Sequence, residues 1–122
     1  MMSNAYNLRN EAREERKRQT MAAGLMSDRF PDVSSIVVTM NYGQGTYSAV
    51  LRTLNFYPGS SAFFRISCLS EGCNEGALDL THSIQRMIRG RETSAKGEIR
   101  CDNSDAAIVH PRVEYQVAIT YS

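Results

Sequence analysis

A chain of 122 residues with 42% hydrophobic content is long enough to bury roughly two thirds of its unfolded surface, so it is expected to fold around one core without obligatory staples. The formal net charge of +1 provides no global field to recruit nucleic acid or an acidic membrane, and any electrostatic partner has to be met by a local patch. There is no apolar run near the roughly 18 residues of a spanning helix and no apolar signal segment after the start, which predicts a cytoplasmic protein with reduced cysteines.

Residues 4 to 26 are rich in Ala, Leu, Arg, Glu, Gln and Met and contain no proline, which predicts a helix. Its first half is polar on every side: between Arg9 and Arg18 lie five basic and three acidic residues, with Glu14 and Arg18 at a favourable helical spacing. Such a helix is solvated, frayed or bound to a partner, and its basic-rich half could lie on an acidic protein or, in the nucleic-acid alternative, on nucleic acid. The second half offers Met21, Ala22, Leu25 and Met26 for docking on a domain. Phe30-Pro31-Asp32 ends the helix, which divides the chain into a charged arm over residues 1–30 and a single α+β domain over residues 31–122.

Ile36, Val38, Met40 and Tyr42 alternate with more polar residues and predict a half-buried strand. Gly43-Gln44-Gly45-Thr46 reads as a turn, and residues 48–57 as a second strand with Val50, Leu54 and Phe56 on one face and Leu51 and Tyr57 on the other. A third strand is expected over residues 62–68, and short turns between the three imply an antiparallel meander. A helix follows, with Asp79 or Thr81 as its cap, Leu80, Ile84, Met87 and Ile88 as its apolar stripe, and Gly90 as its stop. His82, in its first turn, is expected to be exposed. Two strands close the chain, over residues 96–101 and 113–121. In the last, Val113, Tyr115, Val117, Ile119 and Tyr121 form one face and specify a firm register. The expected fold is α+β, an antiparallel sheet of about five strands with one packed helix. Its order is α-β-β-β-α-β-β, with the N-terminal helix partly outside the core.

The densest chemistry lies in Cys68-Leu69-Ser70-Glu71-Gly72-Cys73. With Cys101 and His110 it gives C-x4-C, 27 intervening residues and C-x8-H, each pair beside a strand-like run. Zn²⁺ favours four tetrahedral thiolate or imidazole ligands, so Cys68, Cys73, Cys101 and His110 form a candidate structural zinc site. Gly72 and Gly76 suit a tight knuckle in which amides point at sulfur. Two other readings of the same residues stand beside it: three small buried thiols with a satisfied histidine, or a Cys68–Cys73 disulfide, against which the odd cysteine count argues. Nothing points to catalysis. The chain has no G-x-S-x-G and no phosphate loop, and only His82 and His110 titrate near neutrality. A zinc held by three thiolates and water is a weak Lewis acid, and Cys73 has no C-x-x-C to support a redox role.

Cys68-x4-Cys73 with Asn74-Glu75-Gly76-Ala77-Leu78-Asp79-Leu80-Thr81, then Gly97-Glu98-Ile99-Arg100-Cys101, then Glu114-Tyr115, resembles a group of small bacterial four-cysteine proteins with a zinc-ribbon-like arrangement. The resemblance covers roughly the second half of the chain and implies a metal site but no biochemical role. His110 stands near where the fourth cysteine would fall. The order of the first five elements is also similar to that of a double-stranded-RNA-binding domain, although the two terminal strands are extra and the second helix lacks a lysine cluster at its start.

For nucleic acid, Arg86, Arg89, Arg91, Lys96 and Arg100 form the best basic patch, opposed by Glu92 and Glu98 for a local balance of about +3. Tyr42, Tyr47, Tyr57 or Phe63 would add stacking if they lined the outer sheet face. Arginines on the outer side of a packed helix are otherwise a solvated face. The expectation is therefore a zinc-stabilised, non-enzymatic binding module. Its partner is a protein or a second copy of the chain, nucleic acid is the alternative, and no membrane is involved.

Overall fold

The computed structural model describes residues 4–42, 51–68, 76–102 and 112–122. Two nine-residue strands, β1 (Val33–Asn41) and β6 (Val113–Tyr121), form its antiparallel centre. Both alternate apolar with polar residues, so each sends one side chain in two to a common face. Ile36 lies opposite Ile119 and Val38 opposite Val117, which brings the two apolar sets together. Ile36, Val38, Met40 and Val117 are almost wholly buried. The other face of the same strands carries Val37, Thr39 and Asn41 beside Ala118, Gln116 and Glu114, and none of these is buried. The edges are β2 (Leu51–Phe56), beside β1, and β5 (Ser94–Ile99), beside β6, in the order β2-β1-β6-β5.

A second layer covers the apolar face. It consists of α3 (Thr81–Arg89) and a two-stranded antiparallel sheet of β3 (Arg65–Ser67) with β4 (Ala77–Asp79). Leu80, Ile84 and Met87 from the helical side and Ile66 and Leu78 from the small sheet join the same core as the central strands. Phe64 joins the layers: its ring meets Phe56 edge-to-face at 5.1 Å and lies 6.2 Å from Phe30. Its carbonyl accepts the Leu80 N–H at 3.0 Å.

The architecture is thus α+β, but the meander expectation holds only for its first two strands. The run after residue 60 does not add to β2; its core is three residues long and pairs with β4, a strand not foreseen in Ala77–Asp79. The second side of β1 goes to β6, which offers the longer apolar alternation, while the turn after β2 folds onto the N-terminal segment. There Met26 N–H donates to Ser60 O, Ser27 N–H to Pro58 O and Ala62 N–H to Gly24 O. The expected turn at Gly43 to Thr46 lies outside the described residues.

The N-terminal helix is shorter than its composition suggests. α1 (Asn4–Ala22) stops before Gly24, whose φ of +78° is left-handed and suits glycine. A four-residue helix, α2 (Met26–Arg29), follows. Of the expected docking residues only Met26 enters the core; Met21 and Leu25 are exposed. The docked stretch therefore begins at about Gly24, ahead of the expected boundary at residue 30. On α1, Arg18 pairs with Glu15 at 2.6 Å and Lys17 with Glu14 at 3.8 Å, each three residues apart, in place of the expected Glu14–Arg18 pair. No described helix is long and apolar enough to cross a membrane.

At the end of α3 the left-handed residue is Arg91, with φ +52°, while Gly90 has φ −87° and needs no glycine. Glu92 N–H reaches Met87 O and Arg91 N–H reaches Ile88 O, the paired bonds of a Schellman turn. Arg91 is held there by its stacking 4.4 Å over the Tyr121 ring and by Asp32 at 3.5 Å. The Tyr121 hydroxyl donates to Glu92 O at 2.7 Å and approaches Met87 O at 3.3 Å, tying the helix end to the last residue of β6.

Replacing Phe64, 1% exposed, by Ala is expected to cost about 3–5 kcal/mol in denaturant unfolding. Leu51→Ala on the open face, at 66% exposure, should stay within about 0.5 kcal/mol. Burial pushes the Tyr121 phenol above its ordinary value, against the opposing pull of Arg91. The fold thus favours the protonated phenol, and this contribution is complete below the unfolded value and lost as pH rises through the folded one. Unfolding midpoints of wild type and Tyr121→Phe, compared across alkaline pH, should converge above the ordinary tyrosine range of about 10.

Candidate metal centre

Two hairpins bring the cysteine-bearing segments to one rim. The β3–β4 ladder runs Arg65↔Asp79, Ile66↔Leu78 and Ser67↔Ala77, and one rung further Cys68 N–H donates to Gly76 O at 3.1 Å. The second hairpin is β5–β6, whose last described rung is Ile99↔Val113; Cys101 follows two residues after Ile99.

The two hairpin ends are joined through Ala77. Its carbonyl accepts the Asp102 N–H at 2.9 Å, and its N–H donates to Asp102 Oδ1 at 2.9 Å. Asp102 Oδ2 in turn takes Arg65 Nη2 at 2.9 Å. Cys68 and Cys101 therefore each stand next to a residue bonded or paired to Ala77. A further guanidinium, that of Arg52 on β2, donates to Ser67 O at 3.1 Å, which anchors the edge of the large sheet to the same place. Both cysteines are half-buried, and Cys101 packs against the core.

Of the four candidate ligands, the structure places Cys68 and Cys101 at this rim, while Cys73 and His110 lie outside the described residues. Among the described residues no three His, Cys, Asp or Glu side chains form a ligand set. Cys73 belongs to the connection that Cys68 and Gly76 bracket, and His110 is two residues from Arg112, which pairs with Glu98 at 2.8 Å. His82 is exposed on α3, as expected.

The basic candidates are not one surface. Arg86 and Arg89 are exposed on α3, which covers the core face of the sheet. Lys96 lines a shallow depression on the opposite face with Thr39 and Gln116. Arg91 is engaged with Tyr121 and Asp32, and Arg100 is exposed past the end of β5. The stacking platform is also missing from the described part of the open face. Tyr42 and Phe63 are half-buried, Tyr42 against the core, and Tyr57 stands in the turn after β2; Tyr47 lies outside the described residues.

Asp102 is the residue of this rim that the sequence did not announce, because a lone aspartate after a cysteine carries no local signal for a contact 25 residues back. No protein-family model, curated protein or solved structure matches the chain.

Asp102→Ala would leave the N–H of fully buried Ala77 without its acceptor and should cost about 1–3 kcal/mol. Asp102→Asn retains an acceptor oxygen and should cost less, and denaturant unfolding of both variants checks the order.

Proposed function

We propose that the protein is a small zinc-stapled binding module without catalytic activity, engaging a protein partner or a second copy of itself in the cytoplasm. The observation that carries the reading is the pair of hydrogen bonds between Ala77 and Asp102. It sets side by side two hairpin ends whose connections each hold one of the two ligand pairs, Cys68 with Cys73 and Cys101 with His110. A structural Cys3His site draws on two close ligand pairs, and this contact brings one cysteine of each candidate pair, Cys68 and Cys101, to the same rim.

The metal's contribution is to hold the rim. The binding surface is the open face of the large sheet, polar and small in Thr39, Asn41 and Gln116, with Lys96, Glu98 and Glu114 as its charges. The nucleic-acid reading draws no comparable support, because Lys96 is separated by the sheet from Arg86 and Arg89.

Elemental analysis of protein purified without chelator should find about one zinc per chain. Cys73→Ser should abolish it and His110→Ala should weaken retention. Metal-free wild type whose three cysteines all react promptly with a thiol reagent would overturn the reading.

A further inference from the structure

Among the described residues the outer edge of β5 has no strand beside it. Ile119 N–H donates to Thr93 O at 2.8 Å, and the ladder continues from Ser94↔Ala118 to Ile99↔Val113. Because hydrogen-bonded and non-bonded pairs alternate along an antiparallel ladder, Ala95, Gly97 and Ile99 direct their backbone groups to β6. Ser94, Lys96 and Glu98 direct theirs outward. Among the described residues no strand lies on that side, and such an edge is a template for another strand.

We propose that this edge pairs with β5 of a second copy of the chain, antiparallel about Gly97, so that two four-stranded sheets become one continuous sheet. The charge pattern selects this occupant and this register. Centred on Gly97, Lys96 lies opposite the partner's Glu98 and Glu98 opposite the partner's Lys96. Both are outward-facing pairs, which is the arrangement that exchanges two hydrogen bonds. Centring the two-fold on Lys96 or on Glu98 would set like charges face to face, which is destabilising.

The surroundings favour the same register. Glu98 stands directly opposite Glu114 in its own sheet, so two carboxylates meet there, with Arg112 2.8 Å from Glu98 and Lys96 of the same strand lining the same depression; the partner's Lys96 adds a further cation. On the core side Ala95 meets the partner's Ile99. At the two-fold, Gly97 brings no side chain, and the Tyr115 ring lies so close to it that an added Cβ would sit 2.9 Å from the hydroxyl. With only six residues a side the contact is short, which predicts a weak, concentration-dependent dimer.

The inference rests on the binding-module reading only in naming its partner, and it needs no metal. Sedimentation of the full chain from about 1 to 500 µM should show a monomer–dimer equilibrium. Lys96→Glu and Glu98→Lys should each weaken it about tenfold or more, whereas an equimolar mixture of the two variants should associate again, because the opposed charges are then complementary. Lys96→Pro, which removes only an outward N–H from the backbone, should abolish association with the β5–β6 ladder intact. A wild type that stays monomeric throughout, charge variants that dimerise like wild type, or a mixture that stays monomeric would each overturn the proposal. Zinc content measured on the same samples separates the two ideas: dimers in zinc-free protein would sink the staple and leave this interface standing.

Discussion

The register of β1 against β6 is the constraint on which the rest of the molecule depends. With Ile36 facing Ile119 and Val38 facing Val117, a slip of one residue would turn every apolar side chain to water. That single alignment decides which face receives α3 and the small sheet, and which stays open. It also decides which strands become edges, since β1 and β6 each have one side left and those sides go to β2 and β5.

From the edges follows the separation of the cysteine-bearing rim from the outer side of β5. At one end, β4 and the residues that follow β5 are joined by Asp102 and Ala77, with Arg65 completing the contact. A local bond network of this kind positions chain segments without needing a large core of its own, which suits a rim where a metal would supply the remaining constraint. Along the side of the large sheet, β5 presents alternating Lys96 and Glu98 around a glycine. In the pairing proposed for this edge the backbone would supply affinity and the charges register. The helix end at Arg91, stacked on Tyr121, ties the second layer to the first.

How much was legible depended on how local the cause was. The strands β1 and β6 and the apolar stripe of α3 were readable because period-2 and helical spacing are imprinted by burial on one face, and Leu80, Ile84 and Met87 are all buried as that stripe implies. The end of α1 was misplaced because propensity sums over many residues, whereas termination turned on the left-handed backbone of Gly24. Gly90 was read as the stop of α3 for the usual reason that glycine tolerates positive φ, yet the contacts of Arg91 hold a non-glycine residue in that conformation one position later. The strand β4 escaped notice because three residues are too few to show a period.

Sequence by itself determined the α+β class, the faces of the long strands and the helix, the exposed position of His82, and the two ligand pairs as a chemical possibility. Each is a property of neighbours within a few residues, or of side-chain type. Tertiary structure decided that the third strand leaves the meander, that Cys68 and Cys101 reach one rim through Ala77 and Asp102, that Lys96 parts from the arginines of α3, and that β5 is an edge. These outcomes are competitions between alternative partners for the same backbone hydrogen bonds and the same apolar surface. Their result depends on the whole set of contacts formed at once, which no single stretch of chain encodes.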